Sequence, residues 1–431
     1  MRLIGEQSRL QGSVDIPGSK SHTIRAVAVA SLADGESRIE APLASADTLA
    51  AVEAYTGLGA TIDRQSDSCW VIRGTGGRPK APDNVIDVKN SGTSLRLAVG
   101  SASLLDVGQA VFTGDDQIRR RPIGPLVRSL NDLGASVNCT RGNGCAPVVV
   151  SGRLKGGKTR IEAVTSQFLS SLLLNCPLAD GACEIDVPVL NEQPYVHVTL
   201  AWLDRCGIQL ERDELRHFRI PGGQRYKPVH VRVPADFSSA TFFLAAGALG
   251  DNDILVKGLD FNDPQGDKAV VDFLRQMGAR IDMGPDGVRV RGGQLTGCEL
   301  DLNATPDALP MLAVVGCFAR GQTRLVNVPQ ARLKETDRIA AMRAELSKMG
   351  AKITERPDGL VIEESNLRSA TVEGHYDHRV VMALAVAATA ISGQTRITTA
   401  EAVAVTFPTF LAGMSALGGK LRMASDEAQL S

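Results

Sequence analysis

The chain has 431 residues, which is more than one hydrophobic core usually supports, so its length predicts two domains. Its formal net charge of −1 provides no overall basic field, which argues against nucleic acid or an anionic membrane as a partner. The 8 cysteines and 6 histidines show no metal-ligand spacing, which predicts free thiols in a reducing cytoplasm and no metal site. Residues 1–18 lack the apolar segment of a signal peptide, and the longest apolar stretch, 380–391, is too short to cross a bilayer.

A helical pattern that ends in glycine and continues into a short alternating strand recurs six times along the chain. The shared glycines lie 68 to 75 residues apart and are Gly59, Gly134, Gly207, Gly278, Gly350 and Gly418. Glycine at this place is typical of a helix C-terminus, where the backbone needs a positive φ. The recurrence predicts six copies of one structural unit.

A second helix recurs in the same frame, and it starts polar and then becomes almost wholly apolar. Its six predicted copies span residues 19–32, 91–104, 166–178, 236–249, 307–318 and 377–391. An apolar helix must be covered on all sides, so these helices are predicted to lie inside, surrounded by sheets and outer helices. Each unit therefore reads as strand, buried helix, strand, outer helix and hairpin.

Six units divide into two sets of three, and proline-rich stretches near Pro17 and at 228–234 are candidate crossings between them. The sequence predicts one globule from residues 1–19 with 234–431 and a second from 20–233.

Cationic side chains stand at several predicted helix starts. Capping explains any single Ser, Thr or Asp at such a place, but Lys or Arg opposes the helix dipole and indicates an anionic ligand. The cationic segments are 17–25, 90–96, 119–124, 332–338 and 377–379, while 165–167 offers uncharged donors and 306–307 a carboxylate. Three simpler interpretations stay open: a solvated loop at 119–121, a surface ion-pair ladder at 334–338, and a positive φ at Gly92. Neither a Walker loop nor a dinucleotide fingerprint occurs, which argues against nucleotide-dependent kinases and dehydrogenases.

In this order and at these intervals, the segments resemble the 5-enolpyruvylshikimate-3-phosphate synthase family. The resemblance rests on Pro-Gly-Ser-Lys-Ser at 17–21, Asn-Ser-Gly-Thr at 90–93, Arg-Pro-Ile-Gly at 121–124, Lys-Glu-Thr-Asp-Arg at 334–338 and Asp-His-Arg at 377–379. It covers residues 13–410 and implies a two-domain inside-out α/β barrel of six βαβαββ repeats, three per domain, with the active site in the cleft between the domains. It implies an enzyme that transfers the enolpyruvyl group of phosphoenolpyruvate to the 5-hydroxyl of shikimate 3-phosphate, without metal or organic cofactor.

The resemblance also implies the roles of individual residues. Glu335 would handle the methylene and methyl protons, Asp307 would receive the hydroxyl proton, and Lys20 would lie between both substrates. Phosphoenolpyruvate would meet Lys20, Gly92, Arg121, Gln167, Arg338, His378 and Arg379. Shikimate 3-phosphate would meet Lys20, Ser21, Arg25, Thr165, Ser166, Gln167, Tyr195, Asp307, Gln330 and Lys334. A monomer is expected.

Three positions depart from the pattern of the family. Glu192 stands near where a serine often touches the sugar phosphate, Gln330 replaces an asparagine, and Val405 replaces a lysine that contacts phosphoenolpyruvate. The alternatives left open are an enolpyruvyl transferase acting on UDP-N-acetylglucosamine and a non-catalytic paralogue.

Overall fold

The computed structural model describes residues 1–425. The α-helices of this part are α1 Lys20–Leu32, α2 Ala46–Gly57, α3 Gly92–Ala102, α4 Gly124–Asp132, α5 Ser166–Asn175, α6 Gln193–Arg205, α7 Phe237–Ala248, α8 Val270–Gln276, α9 Leu309–Phe318, α10 Arg338–Lys348, α11 His378–Ala390 and α12 Phe410–Ala416. Short 3₁₀ helices span Cys176–Leu178, Gly266–Ala269, Pro306–Ala308, Pro329–Leu333 and Ala400–Val405. The end of the predicted first globule, 426–431, lies outside the described residues.

The strands are equally regular along the chain. They are β1 Arg2–Glu6, β2 Gln11–Asp15, β3 Glu36–Glu40, β4 Thr61–Ser66, β5 Cys69–Arg73, β6 Ile86–Asp87, β7 Leu104–Thr113, β8 Ser136–Cys139, β9 Val148–Arg153, β10 Gly157–Ala163, β11 Cys183–Leu190, β12 Glu211–Asp213, β13 His217–Ile220, β14 His230–Arg232, β15 Asp253–Lys257, β16 Arg280–Gly284, β17 Gly287–Arg291, β18 Glu299–Asp301, β19 Gln322–Val326, β20 Lys352–Arg356, β21 Gly359–Glu363, β22 Thr371–Glu373, β23 Gln394–Thr398 and β24 Lys420–Ala424.

From β2 onward the order strand, helix, strand, helix, strand, strand repeats six times, and β1 supplies the last strand of the sixth copy. All six glycines of the predicted motif have φ between +79° and +99°, as a helix C-terminus requires. The first helices of the copies, α1, α3, α5, α7, α9 and α11, are buried along nearly their whole length. Their ends lie within three residues of the predicted ones, so the repeat and its buried helices are confirmed.

The described strands form six four-stranded sheets of one design. In each sheet one edge strand, the first in the orders given below, pairs parallel to its neighbour. The other two pairings are antiparallel. Four sheets are built from a single copy each, in the orders β6-β7-β9-β8, β10-β11-β13-β12, β18-β19-β21-β20 and β22-β23-β1-β24. The other two exchange their outer strands, because β14 pairs with β3 and β2 pairs with β15.

The chain divides into two compact units. Unit 1 contains Met1–Pro17, Ala235–Phe261 and the chain from Gly266 onward, and unit 2 contains Gly18–Pro234 and Asn262–Gln265. Each unit holds three sheets, three of the buried helices and a hydrophobic core of its own. The exchange of β2 and β14 follows from the two crossings, because each strand stays with the unit that precedes its crossing. Within residues 1–425, no helix is both long enough and apolar enough to span a bilayer.

Candidate active site

In unit 1 the guanidinium of Arg338 is the centre of an ionic cluster. Its Nε and Nη2 atoms donate to the two oxygens of Asp377 at 2.8 and 3.2 Å. Its Nη1 donates to Asp307 Oδ1 at 2.7 Å, and Nη2 also donates to Glu335 Oε2 at 2.6 Å. Burial disfavours the charge of Arg338, but Asp377, Glu335 and Asp307 outweigh it and raise the pKa of the guanidinium. Three carboxylates are thus held within reach of one buried cation.

Asp307 is shared between three cations. It lies in the 3₁₀ helix at the start of α9, and its Oδ2 is 3.0 Å from Arg379 Nη2. The Lys334 ammonium lies 4.0 Å from Asp307 Oδ1, the oxygen that also binds Arg338. The alternative of a surface ladder at 334–338 is therefore wrong, because Arg338 is only 1% exposed and binds Asp307 and Asp377 as well as its neighbour Glu335.

The start of α11 is fixed by its own capping residue. Asp377 is fully buried, and its Oδ1 accepts from the Arg379 backbone N–H at 2.9 Å. His378 and Arg379 follow within the first turn and are also buried. Gln330, in the 3₁₀ helix before α10, donates from Nε2 to the Asn303 carbonyl at 2.9 Å. The capped turn thus holds Arg379 beside Asp307, one of the carboxylates that bind Arg338.

In unit 2 the first cationic group is at the start of α1. Ser19 caps the helix by accepting from the His22 N–H at 3.4 Å, and Lys20 Nζ lies 3.2 Å from Asp47 Oδ2. Both charged side chains are largely buried, with 15% and 5% exposed. Asp47 on α2, which sequence reasoning missed, fixes the ammonium of Lys20 by a charge-assisted hydrogen bond.

Arg25, one turn further along α1, is almost fully buried. Its guanidinium donates to Thr199 Oγ1, Ser170 Oγ and the carbonyls of Ser21 and Tyr195 at 2.8 to 3.2 Å. Burial lowers the pKa of Arg25 to about 10, although Tyr195 and Glu192 counteract that effect. Its partners lie on α1, α5 and α6, so Arg25 ties the starts of these helices together.

Gly92 opens α3 beside two arginines. A Cβ atom on Gly92 would lie 2.6 Å from Arg96 Nη1 and 2.8 Å from Arg121 Cζ. Gly92 does not adopt a positive φ, so the interpretation as a left-handed turn residue is wrong. Arg121 is buried, which also makes a freely solvated loop wrong at this residue.

Arg96 connects this arginine pair to α5. It donates to Gln167 Oε1 at 2.7 Å and to the Pro122 carbonyl at 3.0 Å, and it lies over the Phe168 ring. Arg96 closes the cationic segment 90–96, and the sequence alone does not show which side chains it meets. The structure assigns it to the positioning of Gln167 and of the segment that follows Arg121.

The start of α5 is occupied by a carboxylate. Glu192, only 1% exposed and with φ +60°, accepts at Oε2 from Ser166 N, Ser166 Oγ and Thr165 Oγ1 at 2.8 to 3.1 Å. Thr165 and Ser166 are residues that the resemblance assigns to shikimate 3-phosphate. The carboxylate of Glu192, a residue that departs from the family pattern, therefore binds at the N-terminus of α5, where an anionic ligand would otherwise bind.

A second feature missed from the sequence lies beside Lys20. His22 Nδ1 accepts from Trp202 Nε1 at 3.1 Å, and its Nε2 lies 3.1 Å from Asp263 Oδ1. Because the indole can only donate, Nδ1 carries no proton, and Nε2 donates to Asp263. The ring orientation at this helix start is thus fixed from both sides.

The comparisons with known proteins agree with this geometry. A model of the family EPSP synthase (3-phosphoshikimate 1-carboxyvinyltransferase) matches residues 4–414. A relative from Ruminiclostridium cellulolyticum named 3-phosphoshikimate 1-carboxyvinyltransferase is 52% identical over 98% of this chain and 100% of its own. One of the same name from Acetivibrio thermocellus is 53% identical over 98% of this chain and 99% of its own.

Solved structures give the same result for the fold. EPSP synthase from Acinetobacter baumannii superposes with a TM-score of 0.83 at 27% identity, covering 98% of this chain and 100% of its own. The enolpyruvyl transferase NikO from Streptomyces tendae superposes with a TM-score of 0.77 at 20% identity over 98% of both chains. This similarity concerns the fold alone. The predicted fold class, resemblance, reaction and enzyme class are confirmed. The chain belongs to the EPSP synthase (3-phosphoshikimate 1-carboxyvinyltransferase) family.

Proposed function

We propose that the clusters of both units serve one reaction, the transfer of the enolpyruvyl group from phosphoenolpyruvate to the 5-hydroxyl of shikimate 3-phosphate. The bond between C2 of phosphoenolpyruvate and its phosphate oxygen breaks, a bond from C2 to the 5-oxygen forms, and phosphate and enolpyruvylshikimate 3-phosphate leave. The observation that carries the proposal is the convergence of Asp307 and Glu335 on Arg338. It places two proton-transfer groups beside one cation.

The two carboxylates take different proton-transfer roles in this proposal. Glu335 gives a proton to the methylene carbon of phosphoenolpyruvate and removes one from the resulting methyl group. Asp307 receives the proton of the attacking hydroxyl, and its contacts with Arg379 and Lys334 fix the position of its carboxylate. Arg338 binds both residues and therefore sets their separation.

Phosphoenolpyruvate binding, in this proposal, exchanges one anion for another. Among residues 1–425, the guanidinium of Arg338 donates to three carboxylates at all of its nitrogens, so an incoming phosphate or carboxylate must replace one of them. Glu335 is the candidate to leave, because Arg338 binds Asp377 through two nitrogens and Asp307 is also bound by Arg379. Lys20, Gly92, Arg121, Gln167, His378 and Arg379 are proposed as the other contacts.

For shikimate 3-phosphate we propose the contacts Ser21, Arg25, Thr165, Ser166, Gln167, Tyr195, Gln330 and Lys334, with Lys20 and Asp307. The support is chemical, since α5 begins with hydroxyl and N–H donors beside buried Arg25. Glu192 must turn away from Ser166 before a phosphate can take those donors.

Phosphate release tests the reaction and its acceptor. We expect release from phosphoenolpyruvate with shikimate 3-phosphate, but not with UDP-N-acetylglucosamine or without an acceptor. Glu335→Gln should lose hydrogen exchange at the methylene carbon, and Asp307→Ala should lose turnover by roughly a hundredfold or more. Near wild-type turnover in either variant would overturn the role of that residue.

We also propose a monomer in the cytoplasm, as the sequence predicts. The 8 cysteines, all in the described part of the chain, carry free thiols, which suits a reducing compartment. Light scattering at working concentration and fractionation of the source cells test the two statements separately.

A further inference from the structure

Glu345, on α10, is a carboxylate buried away from the cluster around Arg338. Its Oε1 lies 2.9 Å from His375 Nε2, and its Oε2 accepts from the Glu373 backbone N–H at 2.8 Å. Lys348 Nζ donates to both oxygens at 2.9 and 2.7 Å. Burial favours the neutral acid, but His375, Lys348 and the Glu373 N–H outweigh it and lower the pKa of Glu345 to about 2. Glu345 is therefore an anion at neutral pH.

The partners of Glu345 belong to an unusual turn. His375 and Tyr376 have φ +53° and +52°, two consecutive left-handed residues that both carry side chains. This conformation is unfavourable for such residues and persists only where other contacts impose it. One contact is the ring of His375 on Glu345, and the other is the Tyr376 N–H, which donates to Thr399 Oγ1 at 3.0 Å. The hydrogen bond to Glu345 also raises the pKa of His375, against its burial.

The turn leads directly into the ionic cluster. Asp377, which follows Tyr376, binds Arg338 through both oxygens, and Arg379 lies 3.0 Å from Asp307. Arg338 and Glu345 are seven residues apart on α10, so they lie on one face of the helix, two turns apart. The segment 373–379 is thus fastened to α10 at two points, one at Arg338 and one at Glu345.

We infer that Glu345 is a positioning residue for phosphoenolpyruvate binding, because it holds the left-handed turn that delivers Asp377 and Arg379 to the site. The inference rests on the proposed function, in which Arg379 binds phosphoenolpyruvate. Glu345, Glu373 and His375 could also surround a metal ion, but the cation on Glu345 in the structure is Lys348. The role is therefore internal to the protein.

Steady-state kinetics of two variants test the inference. Glu345→Gln removes the charge that holds His375, and His375→Asn removes the ring while asparagine tolerates a left-handed backbone. Each is expected to lower kcat/KM for phosphoenolpyruvate by about tenfold to a hundredfold, as small misplacements do, through a higher KM. The KM for shikimate 3-phosphate should stay within about twofold, a split that general loss of stability would not produce.

Lys348→Met is the matched control, because Lys348 binds the same carboxylate but lies on α10 and not in the turn, and its side chain is 49% exposed. It should leave both KM values within about twofold of wild type. An effect of Lys348→Met equal to that of Glu345→Gln would overturn the inference. So would a rise in both KM values together, or a lower melting temperature with unchanged kinetics. If Glu345→Gln does not fold, His375→Asn decides.

Arg379→Gln separates this inference from the proposed function. If Arg379→Gln raises the KM for phosphoenolpyruvate and neither turn variant does, the inference is wrong and the proposed function stands. If Arg379→Gln is as active as the wild type and leaves the KM for phosphoenolpyruvate unchanged, the assignment of Arg379 is wrong. The inference about Glu345 is then wrong as well.

Discussion

At the scale of single residues, Glu192 decides how readily an anion reaches the start of α5. Its Oε2 accepts from Ser166 N, Ser166 Oγ and Thr165 Oγ1, so a phosphate must compete with a charge already in place. Glu192→Gln should weaken that competition by about 1 kcal/mol, which corresponds to a KM for shikimate 3-phosphate roughly fivefold lower. Initial rates at saturating phosphoenolpyruvate measure this change.

Glu184→Gln is the control for Glu192→Gln, because Glu184 lies in the same unit and pairs with the exposed Lys158. It should change neither KM. An unchanged or higher KM in Glu192→Gln, together with a lower melting temperature, would show that Glu192 serves only as a helix cap.

Gly92 gives the second prediction at this scale. The methyl group of Gly92→Ala would overlap the guanidinium ends of Arg96 and Arg121, at 2.6 and 2.8 Å. The ends of these long side chains can shift, but Arg96 must weaken its hydrogen bond to Gln167, so stability should fall by about 1 kcal/mol. The displaced arginines should raise the KM for phosphoenolpyruvate by roughly tenfold. Kinetics and a melting curve on one preparation measure both.

The control for Gly92→Ala is Gly124→Ala, at the first residue of α4. A Cβ there would meet its nearest atom at 3.6 Å, an ordinary contact. Wild-type KM values are expected for Gly124→Ala. If Gly92→Ala also kept the wild-type KM, the two arginines would not be part of the phosphoenolpyruvate site.

Single residues also show which parts of the site could be predicted from the sequence and which could not. Asp307, Glu335 and Arg338 were recognised by motif, and the structure brings all three together. The contacts of Glu345 with His375 and of Glu192 with Ser166 were not predicted. Each joins residues more than twenty positions apart, and a carboxylate in sequence does not show which donors it meets.

At the scale of the helices, close approach of α3 and α5 depends on Gly100. A Cβ on Gly100 would lie 2.3 Å from Ser171 Oγ and 2.5 Å from Asn175 Nδ2. Both side chains are buried and hydrogen-bonded, because Ser171 donates to the Arg96 carbonyl and Asn175 accepts from Ser101. Alanine stabilises an exposed helix by about 1 kcal/mol relative to glycine. Gly100→Ala should instead destabilise the protein, because overpacking outweighs the gain in helix propensity. We expect the free energy of unfolding to fall by about 2 kcal/mol.

Urea denaturation of Gly100→Ala measures the loss, with Gly284→Ala as the control. Gly284 ends β16, and a Cβ there meets nothing within 4 Å, so its stability should stay near that of wild type. A Gly100→Ala protein as stable as wild type would contradict the close packing of α3 on α5. Sequence periodicity indicated these buried helices correctly, but it could not show which glycine marks a contact and which marks an end.

At the scale of the whole molecule, the two units differ in how the chain supplies their strands. Every strand of the three sheets of unit 2, from β3 to β14, comes from the continuous segment 18–234. This segment also holds the complete core cluster of the unit. Expressed alone, residues 18–234 should fold and unfold cooperatively, because a domain with its own core can do so. They should be inactive, since Asp307, Glu335 and Arg338 are missing.

Unit 1 gives the opposite expectation for its own long segment. Residues 235–425 lack β1, which lies between β23 and β24 in its sheet, and they lack β2, the parallel neighbour of β15. Without β1, β24 loses the strand on which it pairs, so this segment should be largely unfolded by circular dichroism. The antiparallel register places Arg2 opposite Ala424, so a short Gly/Ser linker from 425 to residue 1 would form a hairpin. The linked segment 235–425 plus 1–17 should regain a cooperative melting transition. If the linked and unlinked segments behaved alike, β1 and β2 would not be required for the core of unit 1.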